Sequence, residues 1–419
     1  MSKDRVVATY YVETPFSLQR AAEVIAGEQS TGTFTAVPGE TEEVKDRHAA
    51  RIELVEELDE AGAPALPGAA VPPGHDGRFR RGRIKVSFPL LNFGPSIPNL
   101  LSAIAGNLYE LQELSGLRLV DLELPDAFAA RYPGPKFGVE GTRRLTNVYG
   151  RPILGTIVKP SVGLSPKELA GLVTRLAEAG IDFIKDDELN ADPPYAPFEE
   201  KVEAVIEAVE RAADAAGRKI MYAFNITGDY DELRRRHDLV VEKGGTCVMV
   251  SIMSVGYAGL AALNTYSEVP IHGHRNQWGM LTRCPLLGME FTVFQKLCRL
   301  AGADHLHVNG LNSKFYESND SVVRSIQACA APLFGGYGTM PVVSSAQWAG
   351  TAPATYEAIN SVDVMHLAGG GMLAHPDGPA AGFTSMKLGW EAAVSGIPLT
   401  EYAEQHEVLK RAIEKFGRG

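Results

Sequence analysis

A chain of 419 residues and 45.1 kDa exceeds one typical domain and has room for a large barrel with a smaller companion. Its 45% hydrophobic and 22% charged content is that of an ordinary globular enzyme, and a formal net charge of −11 leaves no basic surplus for a nucleic-acid backbone. The four cysteines (Cys247, Cys284, Cys298 and Cys329) have no CxxC spacing, so neither a zinc site nor a disulfide framework is indicated. The opening MSKDRVVATYYVE lacks an apolar h-region and no apolar run reaches membrane-spanning length, so a cytoplasmic enzyme without a membrane partner is expected.

Residues 1–132 read as an N-terminal α+β domain. Val6–Val12 is a β-rich run and Ser17–Ala26 has a helical pattern. The polar stretch Glu28-Gln29-Ser30-Thr31-Gly32-Thr33-Phe34 leads into an expected strand. Residues 61–82, rich in Pro, Gly and Ala, read as a surface loop. Ile84–Leu90 is a further strand, Ile97–Asn107 is helical, and Leu117–Leu124 alternates as a strand does. Strands interleaved with two helices predict a ferredoxin-like, split-βαβ sandwich, and the Gly- and Pro-rich Pro133–Asn147 reads as a linker.

From Arg151 the rhythm is regular. Strand-like runs are expected at Ile153–Lys159, Phe183–Asp187, Ile220–Ile226, Cys247–Met253, Pro270–Arg275, His305–Gly310, Val342–Ser345 and Val364–Ala368. Helical patterns follow them at 165–179, 198–216, 230–242, 256–266, 288–300, 319–331, 351–359 and 382–395. That alternation predicts a (β/α)8 TIM barrel over 133–419 with a C-terminal helical extension. A doubly wound open sheet is the alternative, but no GxGxxG follows an early strand.

A barrel places its chemistry at the C-terminal ends of its strands. Those positions are loaded here. The first strand ends in Lys159-Pro160 and the second in Lys185-Asp186-Asp187-Glu188. The third ends in Asn225 and Thr227, and the fifth in His272-Gly273-His274-Arg275. The sixth carries His305, His307 and Asn309, with Lys314 in the following loop; the seventh ends in Ser344-Ser345 and the eighth in Gly369-Gly370-Gly371. An isolated Lys-Asp-Asp-Glu run is more often a solvated turn, and a lone histidine more often a core residue. The coincidence of so many loaded strand ends is hard to explain structurally.

Lys185 and Asp187 share one strand face, Asp186 takes the other, and Glu188 can swing round beyond the strand end. That grouping suits a hard cation such as Mg²⁺, with Lys185 either balancing charge or converted to a carbamate. Lys159, crowded by Lys185 and a metal, can exchange a proton, and His274 and His307 can share donor duties. Arg275 offers a planar fork for a phosphate or carboxylate, and Gly369 and Gly370 offer bare backbone N–H groups. Together these point to proton abstraction beside a carbonyl, with a cation stabilising the developing oxyanion.

On these residues the chain resembles the ribulose-bisphosphate carboxylase (RuBisCO) large subunit, and more closely the non-carboxylating RuBisCO-like proteins of form IV. GTIVKPSVGLS is similar to the motif carrying the enolising lysine, Lys159, and FIKDDE to the metal motif, with Lys185 N6-carboxylated and Asp187 and Glu188 as the other Mg²⁺ ligands. HGHR supplies His274 and Arg275, and DHLHVNGLNSK supplies His305, His307 and the mobile-loop Lys314. The resemblance implies that Ser344, Gly369 and Gly370 bind substrate and phosphate. It also implies that Glu28, Thr33 and Asn107 reach into a neighbouring subunit's site, so that a homodimer or higher homo-oligomer with shared sites is expected.

The departures matter as much. Where carboxylases carry a second lysine this chain has Ser161; the histidine after the HR pair is Trp278; the double glycine after the seventh-strand serine is Ser345-Ala346; the tryptophan after Thr33 is Phe34. One phosphate site is thus expected to be reshaped and CO₂ fixation lost, with enolisation retained. The resemblance implies a phosphorylated keto-sugar substrate. YAFNIT, GGTCVMVS and HGHRNQWGMLTR favour 3-oxo-isoapionate 4-phosphate, cleaved by decarboxylation or hydrolysis. The alternatives are a 5-methylthioribulose 1-phosphate isomerase, a diketo-methylthiopentyl-phosphate enolase, a metal-free Schiff-base aldolase, or an inactive binding protein.

Overall fold

The structure is a computed structural model and describes residues 4–32, 35, 37–217 and 219–417. The chain forms two compact units: Met1–Pro133 with Gln277–Leu300, and Gly134–Asn276 with Ala301–Gly419. No helix among the described residues is long and apolar enough to cross a membrane.

The first unit is built on a five-stranded sheet. Its first four strands are β1 (Arg5–Thr14), β2 (Arg51–Ala61), β3 (Phe79–Pro89) and β4 (Gly116–Glu123). In β1 the alternating Val6, Ala8, Tyr10 and Val12 are fully buried, as a half-covered strand requires. Strand β2 is absent from the sequence reading. Its RIELVEELDEA is largely exposed and pairs along one edge only, with β3, so it carries charges where a central strand carries apolar residues. The loop expected over 61–82 ends earlier than read, because Phe79 already opens β3. The helix expected over Ile97–Asn107 stops at Ile104 and passes into a 3₁₀ segment, Gly106–Glu110.

The second unit is a closed eight-stranded parallel barrel, the (β/α)8 architecture expected. It is built from β5 (Ile153–Ile157), β6 (Phe183–Lys185), β7 (Met221–Asn225), β8 (Cys247–Ser251) and β9 (Ile271–His274), and resumes after β10. Strand β10 (Leu287–Met289) lies in the first unit's sheet, parallel to β4, which is why the helix expected from 288 starts at Phe291. The barrel closes through β11 (His305–His307), β12 (Met340–Val343) and β13 (Met365–Leu367). Its interior is packed by Ile153, Phe183, Met221, Met249, Met340 and Leu367, among others.

The expected linker over Pro133–Asn147 is instead partly a helix, Gly138–Thr146. Its N-terminus is capped from far along the chain: Asp304 Oδ1 accepts from the backbone N–H of Phe137 (2.6 Å) and Gly138 (2.9 Å). Its C-terminus is closed by Asn147 in the left-handed region, φ 52°. Pro133, Gly134 and Pro135 mark the approach to this helix, while Gly138 and Gly141 lie inside it. Its stability comes from contacts that no local reading shows.

Candidate active site

Strand β6 ends in Lys185, whose side chain is fully buried, and the turn after it carries Asp186, Asp187 and Glu188. Asp186 points away from the others, as the pleat dictates. Its carboxylate accepts from Tyr222 Oη (2.5 Å) and Asn225 N (2.9 Å) and pairs with the buried Lys201 Nζ (2.9 Å). Lys201 also donates to Asn190 O and Ala191 O at 2.9 Å each, so this carboxylate anchors the turn and takes no part in the cluster on its other side. Stripping one partner from such a buried pair costs about 3–5 kcal/mol. Asn225 braces the same turn, its Nδ2 donating to the carbonyls of Asp187 and Glu188 at 3.2 Å each.

On the other face Lys159 Nζ donates to Asp187 Oδ2 (2.6 Å) and to Ser161 Oγ (2.8 Å). Lys185 Nζ donates to Asp186 O (2.7 Å) and to Glu188 Oε2 (3.3 Å), and His274 Nε2 lies 3.5 Å from that same Glu188 oxygen. Burial pushes the Lys185 amine down, against the upward pull of Glu188 and Asp187. Burial raises the Glu188 carboxyl, but His274 and Lys185 together outweigh it and bring it down to about 2, so Glu188 is a carboxylate at neutral pH. Burial, helped by Lys185, pushes His274 down to about 4. His274 is therefore neutral at pH 7, and since its Nδ1 accepts from Asn276 N (3.2 Å), its proton sits on Nε2, facing Glu188.

The five residues Lys159, Lys185, Asp187, Glu188 and His274 thus meet at one point. Among the described residues no group of three or more His, Cys, Asp and Glu side chains is placed to hold a metal ion. Asp187 and Glu188 supply two carboxylates, each engaged by a lysine. Among the described residues, Lys185 could add a third anionic oxygen beside these two if its amine carried a carboxyl group. The donor set fits a hard cation such as Mg²⁺ if that amine is carbamylated, and a buried amine pushed toward its neutral, nucleophilic form is suited to the reaction.

Around this cluster lie the remaining candidates. His307, on β11, packs at a tilt against His274 with ring centroids 4.4 Å apart, and its Nδ1 meets Ser344 Oγ at 3.0 Å. Beyond Ser344, Ser345 and Ala346 adopt φ of 75° and 52°, a region glycine would enter without strain, so the backbone here keeps a glycine-type course despite the added side chains. A Cβ on Gly369 would sit 3.7 Å from Lys159 Cε, which puts the glycine run beside the first lysine, and Gly370 faces open space. Gly371 is a packing glycine: a Cβ there would lie 2.1 Å from Gln347 O.

Arg275 is already engaged. Its guanidinium pairs with Glu317, a carboxylate at the far end of the Lys314 loop, and Asn309 Nδ2 donates to the same carboxylate. Both members of the ion pair are buried. An anionic group that approaches Arg275 would share this guanidinium with Glu317 or displace it. Glu317 was not singled out by the sequence, since a lone glutamate ten residues past a strand carries no signal until folding sets it against Arg275. Lys314 is exposed, its Nζ 5.4 Å from the Phe315 ring centroid, and no hydrogen bond or ion pair among the described residues joins it to the cluster.

Glu28 and Asn107 belong to the first unit and are exposed. Glu28 ends the helix Leu18–Glu28, Asn107 lies in the 3₁₀ segment, and Gln29 ties the two together. With its amide turned to suit its neighbours, Gln29 donates to Ala103 O (2.9 Å) and Ser102 O (3.0 Å) and accepts from Asn107 N (3.3 Å). Thr33, the third residue of this group, lies outside the described residues.

The ribulose bisphosphate carboxylase large chain catalytic-domain family matches residues 138–416, and the corresponding N-terminal-domain family matches residues 1–128. The chain is 51% identical, over 98% of its length and 99% of the relative's, to a 3-oxo-isoapionate-4-phosphate transcarboxylase/hydrolase of Xanthobacter autotrophicus. It is 45% identical, over 99% of both chains, to a 3-oxo-isoapionate-4-phosphate decarboxylase of Rhizobium rhizogenes. Among solved structures, a rubisco-like protein from Burkholderia fungorum superposes with a TM-score of 0.92 at 46% identity, covering 98% of this chain and 100% of that one. Fold, strand-end chemistry and these matches agree, and the chain belongs to the RuBisCO large-chain family as one of its RuBisCO-like members.

Proposed function

We propose that this chain is a Mg²⁺-dependent enzyme that acts on 3-oxo-isoapionate 4-phosphate, enolising it and cleaving the C–C bond beside its carbonyl by decarboxylation or hydrolysis, without fixing CO₂. The observation that carries the reading is the meeting of Lys159, Lys185, Asp187, Glu188 and His274, with Ser161 hydrogen-bonded to Lys159 where carboxylases hold a second lysine. Similarity to relatives named for this substrate supplies its identity.

A 3-oxo acid suits such a site. Departure of the carboxyl group as CO₂ leaves an electron pair on the carbon next to the ketone, shared with the carbonyl oxygen, and a returned proton completes the reaction. Held by Asp187, Glu188 and carbamylated Lys185, Mg²⁺ would supply the positive charge that lowers the energy of that oxyanion. Lys159 lies beside the cluster as the group that returns or removes the proton, and the Nε2–H of neutral His274 is a donor to a substrate oxygen. Gly369 and Gly370 are assigned to the phosphate, with Lys314 reaching over it when its loop closes. Arg275, His307 and Ser344 are assigned to the rest of the substrate; Glu317 already offsets the arginine charge, so a single-phosphate substrate is favoured over a bisphosphate.

A panel of synthetic substrates tests the assignment. 3-Oxo-isoapionate 4-phosphate should be consumed with a kcat/KM far above that for 5-methylthioribulose 1-phosphate. Rapid isomerisation of the latter, with no turnover of the former, would replace this reading by the sulfur-salvage one.

Two further results are expected. Lys314→Ala removes a charge-assisted contact made when the loop is shut, and such contacts contribute about 2–3 kcal/mol, so steady-state kinetics should show kcat/KM down roughly 30- to 150-fold. The fold and metal affinity should be unchanged, because the residue is exposed. The second concerns assembly. Glu28, Thr33 and Asn107 are assigned to the site of a neighbouring subunit in a homodimer. Mixing inactive Glu28→Gln and Lys185→Ala proteins should then restore activity, since a heterodimer retains one intact site. Demonstrated subunit exchange without recovery would place these residues elsewhere.

A further inference from the structure

Three histidines run through the barrel interior in one hydrogen-bonded line. Ser344 Oγ meets His307 Nδ1 (3.0 Å), and His307 Nε2 meets His272 Nε2 (2.8 Å). His272 Nδ1 meets His305 Nδ1 (3.2 Å), His305 Nε2 meets Thr142 Oγ1 (2.8 Å), and Thr142 Oγ1 reaches Gly138 O. The line ends in the helix Gly138–Thr146, and every side chain in it is buried. Phe183 stacks on His272, with centroids 5.2 Å apart, and meets His305 edge-on at 6.2 Å, so two of the rings are clamped.

The direction of every proton in this line is fixed by its end. A backbone carbonyl has no proton to give, so Thr142 spends its single O–H on Gly138 O and must accept from His305 Nε2. Burial holds all three imidazoles neutral, His305 down to about 3, so each has one N–H and one lone pair. His305 then accepts at Nδ1 from His272 Nδ1–H, His272 accepts at Nε2 from His307 Nε2–H, and His307 accepts at Nδ1 from the Ser344 hydroxyl. The opposite polarity would leave Thr142 needing two protons.

We propose that Thr142, His305 and His272 are positioning residues that fix His307 as its Nε2–H tautomer and turn the Ser344 proton into the wall, so that Ser344 Oγ accepts a hydrogen bond from a substrate hydroxyl. The line is an orienting device and not a proton relay, because a concerted shift would deliver its proton to the Gly138 carbonyl, which cannot keep it. An acceptor-only serine favours a hydroxyl over a phosphate or carboxylate oxygen at this point. That last step rests on the sugar-acid reading above, whereas the tautomers do not.

The test is ¹⁵N NMR of the full-length, ¹⁵N-histidine-labelled enzyme without substrate. His307 and His305 should be protonated at Nε2 and His272 at Nδ1. Thr142→Val removes the end of the line, so His307 should populate both tautomers. With 3-oxo-isoapionate 4-phosphate, kcat/KM should fall roughly tenfold, the loss expected for one misoriented hydrogen bond. Thr142→Ser should restore both the spectrum and the rate, which a general packing defect would not allow. Wild-type His307 protonated at Nδ1, or tautomers unmoved by Thr142→Val, would overturn the proposal. Should the valine variant fail to fold, the wild-type and Thr142→Ser spectra still decide it. The expected tautomers with no turnover of the sugar acid would leave the positioning line standing and remove only the substrate assignment.

Discussion

Replacing Lys185 by methionine should abolish turnover while leaving the fold intact. Methionine keeps the length and the apolar stem of the fully buried lysine, so the interior of β6 stays filled. What it removes is the amine proposed to carry the third anionic oxygen of the cation site, which would leave the carboxylates of Asp187 and Glu188. Charge stabilisation by a bound cation contributes several kcal/mol in a transition state, which corresponds to a fall of about 10³-fold or more in kcat/KM. Magnesium titration by calorimetry should show the affinity lost in parallel. In the wild-type enzyme, EDTA should abolish activity and Mg²⁺ with bicarbonate should restore it; in Lys185→Met neither addition should have any effect. Full activity of the methionine variant, or wild-type activity indifferent to EDTA, would remove the carbamate and its cation from the account.

The second large effect is expected at Lys159. Its Nζ sits 2.6 Å from Asp187 and 2.8 Å from Ser161, and it is the group proposed above to pass a proton to or from a substrate carbon. A positioned acid or base contributes roughly 10²–10⁴-fold, and Lys159→Met should lower kcat by that range. KM should change little, because the residue is assigned to proton movement and not to holding the phosphate. The split between kcat and KM, measured by initial rates, separates this role from a binding one. Unlike Lys185→Met, this variant should keep its magnesium affinity, since Asp187 is left free to face the cation.

Both of these residues were legible in the sequence because a parallel barrel concentrates chemistry at the ends of its strands. Lys159, Lys185, His274, His307, Ser344 and Gly369 could be picked out one strand at a time, from short runs each ending an apolar stretch. The pleat also separates Asp186 from Asp187, and the structure agrees: Asp186 turns to Tyr222 and Lys201, and Asp187 to Lys159. What the sequence hides are pairings across the fold. Glu317 gains meaning only opposite Arg275, and Thr142 only beneath His305. The helix Gly138–Thr146 has the local composition of a linker, because its cap, Asp304, arrives from the foot of another strand. Strand β2 is hidden in the sequence because an exposed edge strand rich in charges has the composition of a loop.

The fate of the substrate's carboxyl carbon tests the proposed cleavage most directly. Enzyme supplied with Mg²⁺, bicarbonate and 3-oxo-isoapionate 4-phosphate labelled with ¹³C at the carboxyl group can be followed by ¹³C NMR. Cleavage beside the carbonyl predicts that the label leaves the phosphorylated skeleton, as CO₂ and bicarbonate for decarboxylation or in a two-carbon acid for hydrolysis, and that Lys185→Met shows neither. A label that stays in the uncleaved phosphorylated skeleton, with the wild-type enzyme folded and loaded with Mg²⁺, would contradict it.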